Sequence, residues 1–177
     1  DDAMSCHYDY VYKILSKRNL WGIFYVPTQP YQKSKMLDVH RIHLLCGAYN
    51  GNELLSTLKT YLNAEMMPDE KREEFRKQTY TRQENYEGIS EFKRILNYFV
   101  SYDYREPLID LVARKLNYVF HNSKFYVPMD KLKKMQLSGN LIGSHTVSHP
   151  IMSKLSEIEQ NEEIEHSFSF LESNLQL

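Results

Sequence analysis

Residues 140–156 read NLIGSHTVSHPIMSKLS, and what is made of the two histidines at their centre decides the fold. The apolar run Leu141-Ile142-Gly143 reads as a short buried strand, and it leads directly into His145 and His149, four residues apart. The pair therefore falls at the C-terminal end of a strand, where α/β folds place their chemistry. An i, i+4 histidine pair can meet one divalent ion from a helical turn or from a loop leaving a strand. Spacing alone, however, is served equally by two hydrogen-bonded structural histidines. Thr146 follows the first histidine, so the Glu that acts as general base in an HExxH zinc protease is missing and a protease is disfavoured.

Working outward, residues 128–140 (PMDKLKKMQLSGN) predict a short helix with Gly139 near its end. Downstream, LSEIEQNEEIEHSFSFLESNL opens with Ser156 and Glu159 at capping-box spacing and predicts a helix carrying Ile158, Ile164, Phe168 and Leu171. Near the other end, residues 6–19 place Tyr10, Val11, Ile14 and Leu15 on one helical stripe, and residues 20–28 (LWGIFYVPT) predict a second buried strand stopped by Pro27. Helix followed by buried strand is the rhythm of an α/β fold. Between Gln29 and Ser123 that rhythm gives way to successive helical patterns. These are SKMLDVHRIHLLCG with Gly47 as a C-cap, NELLSTLKTYLN, ISEFKRILNYFVS and EPLIDLVARKLNYVF. The charged stretch 66–88, with its DEKREE run, predicts an exposed helix and loop. Residues 29–123 thus read as a helical insertion within a single α/β domain.

At 177 residues the chain is long enough for one full-sized core. Fourteen Tyr and eight Phe against six Gly and six Pro suggest a helix-rich, aromatic-packed protein. The 22 Lys plus Arg are matched by 23 Asp plus Glu, so no general attraction for phosphate backbones exists and nucleic acid is not an expected partner. No apolar run approaches the ~18 residues of a transmembrane span. Cys6 and Cys46 are too few for a disulfide scaffold and read as free, half-buried thiols.

GNLIGSHTVSHPIMSKLS resembles the second motif of the NodB-type polysaccharide deacetylases, carbohydrate esterase family 4, in which Gly-Ser precedes His-Ser/Thr-x-x-His. The first motif of that family ends in an Asp pair followed by a helix and a strand, and this chain shows Asp1 and Asp2, then a helix, then GIFYVPT. The resemblance covers residues 1–28 and 128–174. It implies a partial, distorted (β/α) barrel, made helix-rich by the insertion, and metal-dependent removal of acetyl groups from an N- or O-acetylated sugar or polysaccharide. It further implies Asp2, His145 and His149 as ligands of a divalent metal, zinc first with cobalt, nickel or iron as alternatives, and Asp1 as the base. One carboxylate and two imidazoles suit such an ion and leave positions open, as a catalytic site needs.

The Thr-Phe strand before the Asp pair, the Arg-containing loop and the final Leu-x-His of the family are not found in these residues, so a fragment of a longer deacetylase is expected. Two other functions stay open: a carbohydrate-binding or scaffolding relic, and a deformylase or amidase acting on a lipid-linked or nucleotide sugar. No signal peptide is legible, and bacterial cytoplasm and cell envelope are equally compatible with the sequence. His40 and His43 in DVHRIH are expected to pack within the insertion, having no third ligand nearby in sequence. His7 could border the cleft or start a helix, while His121 and His166 receive no role. Tyr25, Tyr31, Tyr80 and Tyr86 could stack on sugar rings, with core packing as the default for aromatics.

Overall fold

The computed structural model describes residues 1–68, 72–122 and 124–175, which divide into two compact units. The first comprises residues 1–37 and 121–177, the second residues 38–120. Residues 29–37, grouped by sequence with the helical block, thus belong to the first unit. The DEK of the charged run, residues 69–71, lies outside the described residues.

In the first unit a π-helical segment, His7–Tyr12, runs into helix α1 (Lys13–Lys17) and then strand β1 (Ile23–Val26) and helix α2 (Gln29–Lys33). The face this segment buries differs from the expected stripe. Of the four, Leu15 meets the core as expected, but Tyr10, Val11 and Ile14 are exposed, and Tyr8 and Tyr12 meet the core in their place. The wider i→i+5 hydrogen bonding of the π segment rotates which residues line up, so a stripe counted at 3.6 residues per turn misses it. Cys6, expected to be half-buried, is exposed.

The second unit is built, among its described residues, from helices α3 (Asp38–Ala48), α4 (Gly51–Lys59), α5 (Arg72–Gln78), α6 (Ile89–Arg94), a π-helical continuation Ile95–Phe99, and α7 (Tyr102–Lys115). Its core follows directly from three- and four-residue spacing. Leu54 and Leu58 of α4 and Leu108, Ile109 and Val112 of α7 are fully buried against Ile42, Leu45, Phe92 and Leu96. Gly47 lies inside α3 rather than capping it, because the turn is made at Asn50, whose side chain accepts from the Asn52 amide at 2.9 Å to start α4. Helix α7 starts at Tyr102, ahead of the Glu106 suggested by periodicity, and carries Pro107 inside it. Two buried arginines are paired with carboxylates: Arg105 Nε donates to Asp38 Oδ2 at 3.0 Å, and Arg41 bonds both Asp38 and Asp110.

The chain returns to the first unit with α8 (Met129–Leu137), β2 (Leu141–Ser144) and, after a short 3₁₀ turn, α9 (Glu157–Asn174). Gly139, at φ +87, takes the left-handed position just past α8 that a side-chain-bearing residue adopts only under strain. The two strands pair in parallel, Ile23 with Leu141 through Val26 with Ser144, so the α/β expectation holds in the form of a two-stranded parallel sheet within a helix-rich chain. One face of that sheet, Phe24, Val26 and Ile142, packs on Leu132 and Met135 of α8 and Leu171 of α9. Ile23, Tyr25 and Leu141 on the other face are exposed. On that outer face Gly143 lies opposite Tyr25, and a Cβ added at Gly143 would meet the tyrosine ring at 2.9 Å. Far from the histidines, Asn140 closes the sheet: its Oδ1 accepts from Gly22 N and its Nδ2 donates to Met135 O, both at 3.0 Å.

Helix α9 begins with the predicted capping box, Ser156 and Glu159 bonding each other's backbone amides. Of its four expected core residues only Leu171 is buried, whereas Ile158, Ile164 and Phe168 are exposed. Ser167, Leu171 and Leu175, spaced by four, form the buried line, because only the C-terminal half of α9 reaches the core.

Candidate metal centre

Asp2 is held in place by the three residues after it. Ala3 is 1% exposed, its carbonyl accepts from Val127 N at 2.8 Å, and Ser5 N donates to Phe125 O at 2.8 Å, around an antiparallel bridge between Met4 and Tyr126. The opening acids are therefore tied down on one side by backbone hydrogen bonds, unlike a solvated tail. Asp2 and Ala3 both have positive φ, 69° and 51°, a conformation that costs a non-glycine residue roughly 1–2 kcal/mol.

The histidine loop is anchored from the other side. His145 N continues the sheet ladder to Val26 O at 3.0 Å, and Thr28 N and Gln29 N donate to the carbonyls of Thr146 and Val147 at 3.2 and 2.9 Å. Thr146 and His149 are again left-handed, φ 63° and 57°, and the Thr146 hydroxyl accepts from His149 N at 3.1 Å. Four strained non-glycine residues thus gather around one point, which is where stored backbone strain accompanies a site.

That point is chemically specific. Asp2 Oδ1 lies 3.4 Å from His145 Nε2 and 3.2 Å from His149 Nε2, and the two imidazoles stand edge to face with centroids 4.6 Å apart. Among the described residues, Asp2, His145 and His149 form the group of His, Cys, Asp and Glu side chains whose ligand atoms converge, all within 4.8 Å of one another. Ligand atoms of a tetrahedral site with bonds of ~2.1 Å lie roughly 3.4 Å apart, so the two edges from Asp2 Oδ1 match one shared divalent ion. A carboxylate oxygen facing two imidazole nitrogens is stabilised by N–H donation, by protonation of an imidazole, or by a cation between them. His145 Nε2 is buried and makes no hydrogen bond, so a proton there would be poorly used, whereas a cation would be ligated. The donor set, two nitrogens and one oxygen, therefore fits a divalent metal.

Asp1 stands at the rim, its Oδ2 4.0 Å from His145 Nε2 and its side chain 65% exposed. Tyr25 is near the site as well, its ring centroid 6.2 Å from that of His145. His7 lies close enough to feel the Asp2 charge but is not in the ligand group. Burial lowers its pKa, and the Asp2 charge opposes this. His40 is buried and His43 exposed in the second unit, and His121 and His166 are exposed, so none of these joins the convergent group. Tyr31 donates to Val127 O at 2.9 Å and is a packing residue, Tyr80 is packed in the second unit beside Lys93 and Arg94, and Tyr86 is exposed.

Sequence reasoning missed Glu163. From α9 its Oε2 accepts the amides of Val147 at 2.7 Å and Ser148 at 2.9 Å, and its Oε1 accepts the Ser148 hydroxyl at 2.6 Å. Nothing in one dimension separates it from Glu157, Glu159, Glu162 and Glu165 on the same helix. A hydrogen bond between Ser144 and Ser167 adds a second tie from α9 to the end of β2.

No curated protein and no solved structure matches this chain. The family model described as polysaccharide deacetylase matches residues 1–176, essentially its whole length. That family is generally metal-dependent, and its reaction is hydrolytic deacetylation of acetylated carbohydrate. No helix among the described residues is long and apolar enough to cross a membrane. With a whole-length match and the Asp and His residues of both motifs gathered at one point, the chain belongs to the polysaccharide deacetylase family.

Proposed function

We propose that this chain binds one divalent metal, zinc in the first instance, through Asp2, His145 and His149, and hydrolyses the acetyl group of an N- or O-acetylated sugar beside it. The observation that carries the reading is the single Asp2 oxygen set 3.2 and 3.4 Å from two imidazole nitrogens. A divalent cation at such a site acidifies water and polarises an acyl oxygen. The chain's own part is to hold that cation with neutral imidazoles and one carboxylate, leaving the outer side open, as side chains only 21–31% exposed allow. Asp1, more exposed and one residue before the ligand, accepts a proton from the attacking water. The carbonyl carbon gains an oxygen, its bond to the sugar nitrogen or oxygen breaks, acetate departs, and the sugar heteroatom takes up a proton.

The framework we propose is part of a distorted (β/α) barrel, with the helical unit 38–120 inserted between its strands. The open apolar face of Ile23, Tyr25 and Leu141 supports this, since parallel strands are ordinarily covered on both faces. The test is direct. His145→Ala and His149→Ala are expected to lower zinc affinity by more than ~100-fold in calorimetry, a larger loss than outer-shell changes produce. Both should also end acetate release from an N-acetylated oligosaccharide wherever the parent protein shows it. Zinc binding undiminished in both variants would sink the reading.

A further inference from the structure

The loop between the two histidines presents its donors to one acceptor. Consecutive backbone N–H groups that point the same way form a concave seat for an anion, and left-handed residues are what bring them into that arrangement. Thr146 is left-handed, and the amides of Val147 and Ser148 just after it both reach Glu163 Oε2, at 2.7 and 2.9 Å. The Ser148 hydroxyl fills the other oxygen, Oε1, at 2.6 Å. The seat is thus filled from within the chain, by a half-buried carboxylate on α9.

We propose that Glu163 is the positioning residue of the centre: its carboxylate occupies the seat in the 146–148 turn and so fixes the directions of His145 and His149 toward their shared ligand. Both histidines flank the three anchored donors, and His149 is itself left-handed and tied back to the Thr146 hydroxyl. Without the anion, two strained residues lose their restraint, and the turn is free to relax away from the geometry that brings two nitrogens to one Asp2 oxygen. Glu163 is outside the convergent ligand group and holds the Val147 and Ser148 amides, so its effect passes through the backbone. The inference rests on the metal reading above for its readout on affinity, but not for its readout on the turn.

Two measurements on the 177-residue chain test it, with Glu163→Ala and Glu163→Gln as variants. The first is Co²⁺ affinity together with the visible absorption of the bound ion. The second is hydrogen exchange of the Val147 and Ser148 amides, followed by NMR without metal. Glu163→Ala should weaken Co²⁺ binding by about 10–100-fold, the size of an outer-shell effect, and alter the absorption band. It should also unprotect both amides. Glu163→Gln keeps an oxygen for the two amides and should stay within about threefold of the parent, the outer-shell loss being largely avoided. Formate, a free carboxylate sized for the gap, should restore part of the affinity of Glu163→Ala. Parent-like Co²⁺ affinity, absorption and amide protection in Glu163→Ala would overturn the proposal. If the parent binds no Co²⁺ while Glu163→Ala still unprotects the two amides, the seat stands and the metal reading fails.

Discussion

The two units of the chain are held together by different means. Among the described residues, the helical unit, 38–120, buries fourteen apolar residues in one cluster, while the larger unit with the sheet buries ten in its cluster and Met36, Leu37 and Tyr126 outside it. Strain runs the other way. Of the non-glycine residues with positive φ, Tyr80 and Asn117 lie in the helical unit, and Asp2, Ala3, Asn19, Ser34, Thr146 and His149 lie in the sheet unit. Packing dominates in the unit without the Asp2, His145 and His149 group, and backbone strain held by specific hydrogen bonds dominates in the unit that contains it. The difference teaches that the histidine site is maintained less by burial than by individual anchors, so it should respond to single polar substitutions that a packed core would ignore.

The largest expected effects test the packing side. Phe92→Ala, at a fully buried position, should cost about 3–5 kcal/mol in urea denaturation, whereas Leu171→Ala in the thinner core should fall near the ~2–3 kcal/mol end of such losses. Equal costs would break the contrast. Next, Asp38→Ala removes the carboxylate that Arg105 depends on, with both side chains largely buried, and should cost about 3 kcal/mol by leaving an uncompensated cation. Arg41 keeps Asp38 when Asp110 is removed, so Asp110→Ala, at a partly exposed carboxylate, should cost clearly less in the same denaturation series.

Smaller effects test the anchored side. Ser156→Ala breaks the capping box of α9 and should cost about 1 kcal/mol, read as a lowered midpoint of thermal unfolding. Thr146→Gly should change stability least, by under ~0.5 kcal/mol, because relief of the left-handed strain and loss of the hydroxyl acceptor for His149 N are of similar size and opposite sign. Its metal affinity should nevertheless fall, since glycine leaves the turn free to move. A Thr146→Gly variant that loses several kcal/mol would show that the turn is maintained by burial after all.

What could be read from the sequence was what neighbours in the chain decide. LIG before His145, Ser156 with Glu159, and Gly139 after a helix each act within a few residues, and each appears in its expected place, although the strand expected to be buried is buried on one face only, Leu141 being exposed. The grouping of Asp2 with His145 and His149 was reached through motif order, and the structure brings those three side chains together. Residues whose role depends on a partner far along the chain were not legible. Glu163 is one carboxylate among several on α9 until the fold sets it against Val147 and Ser148. The buried faces of the first helical segment and of α9 were misread for related reasons. A π turn shifts the first, and the second touches its core only beyond Ser167. Gly47 looked like a stop because glycine often is one, but Asn50 makes the turn.

The glycine opposite Tyr25 makes positions 25 and 143 a single choice rather than two. The aromatic ring lies over the bare backbone of its cross-strand partner, as aromatics do where they shield a sheet glycine. A randomised library at both positions should therefore return the large residue on either strand, but never on both. An aromatic moved to 143 with glycine at 25 would be accepted by the sheet while carrying the ring away from His145, which separates what this pair does for the strands from what Tyr25 does beside the histidine.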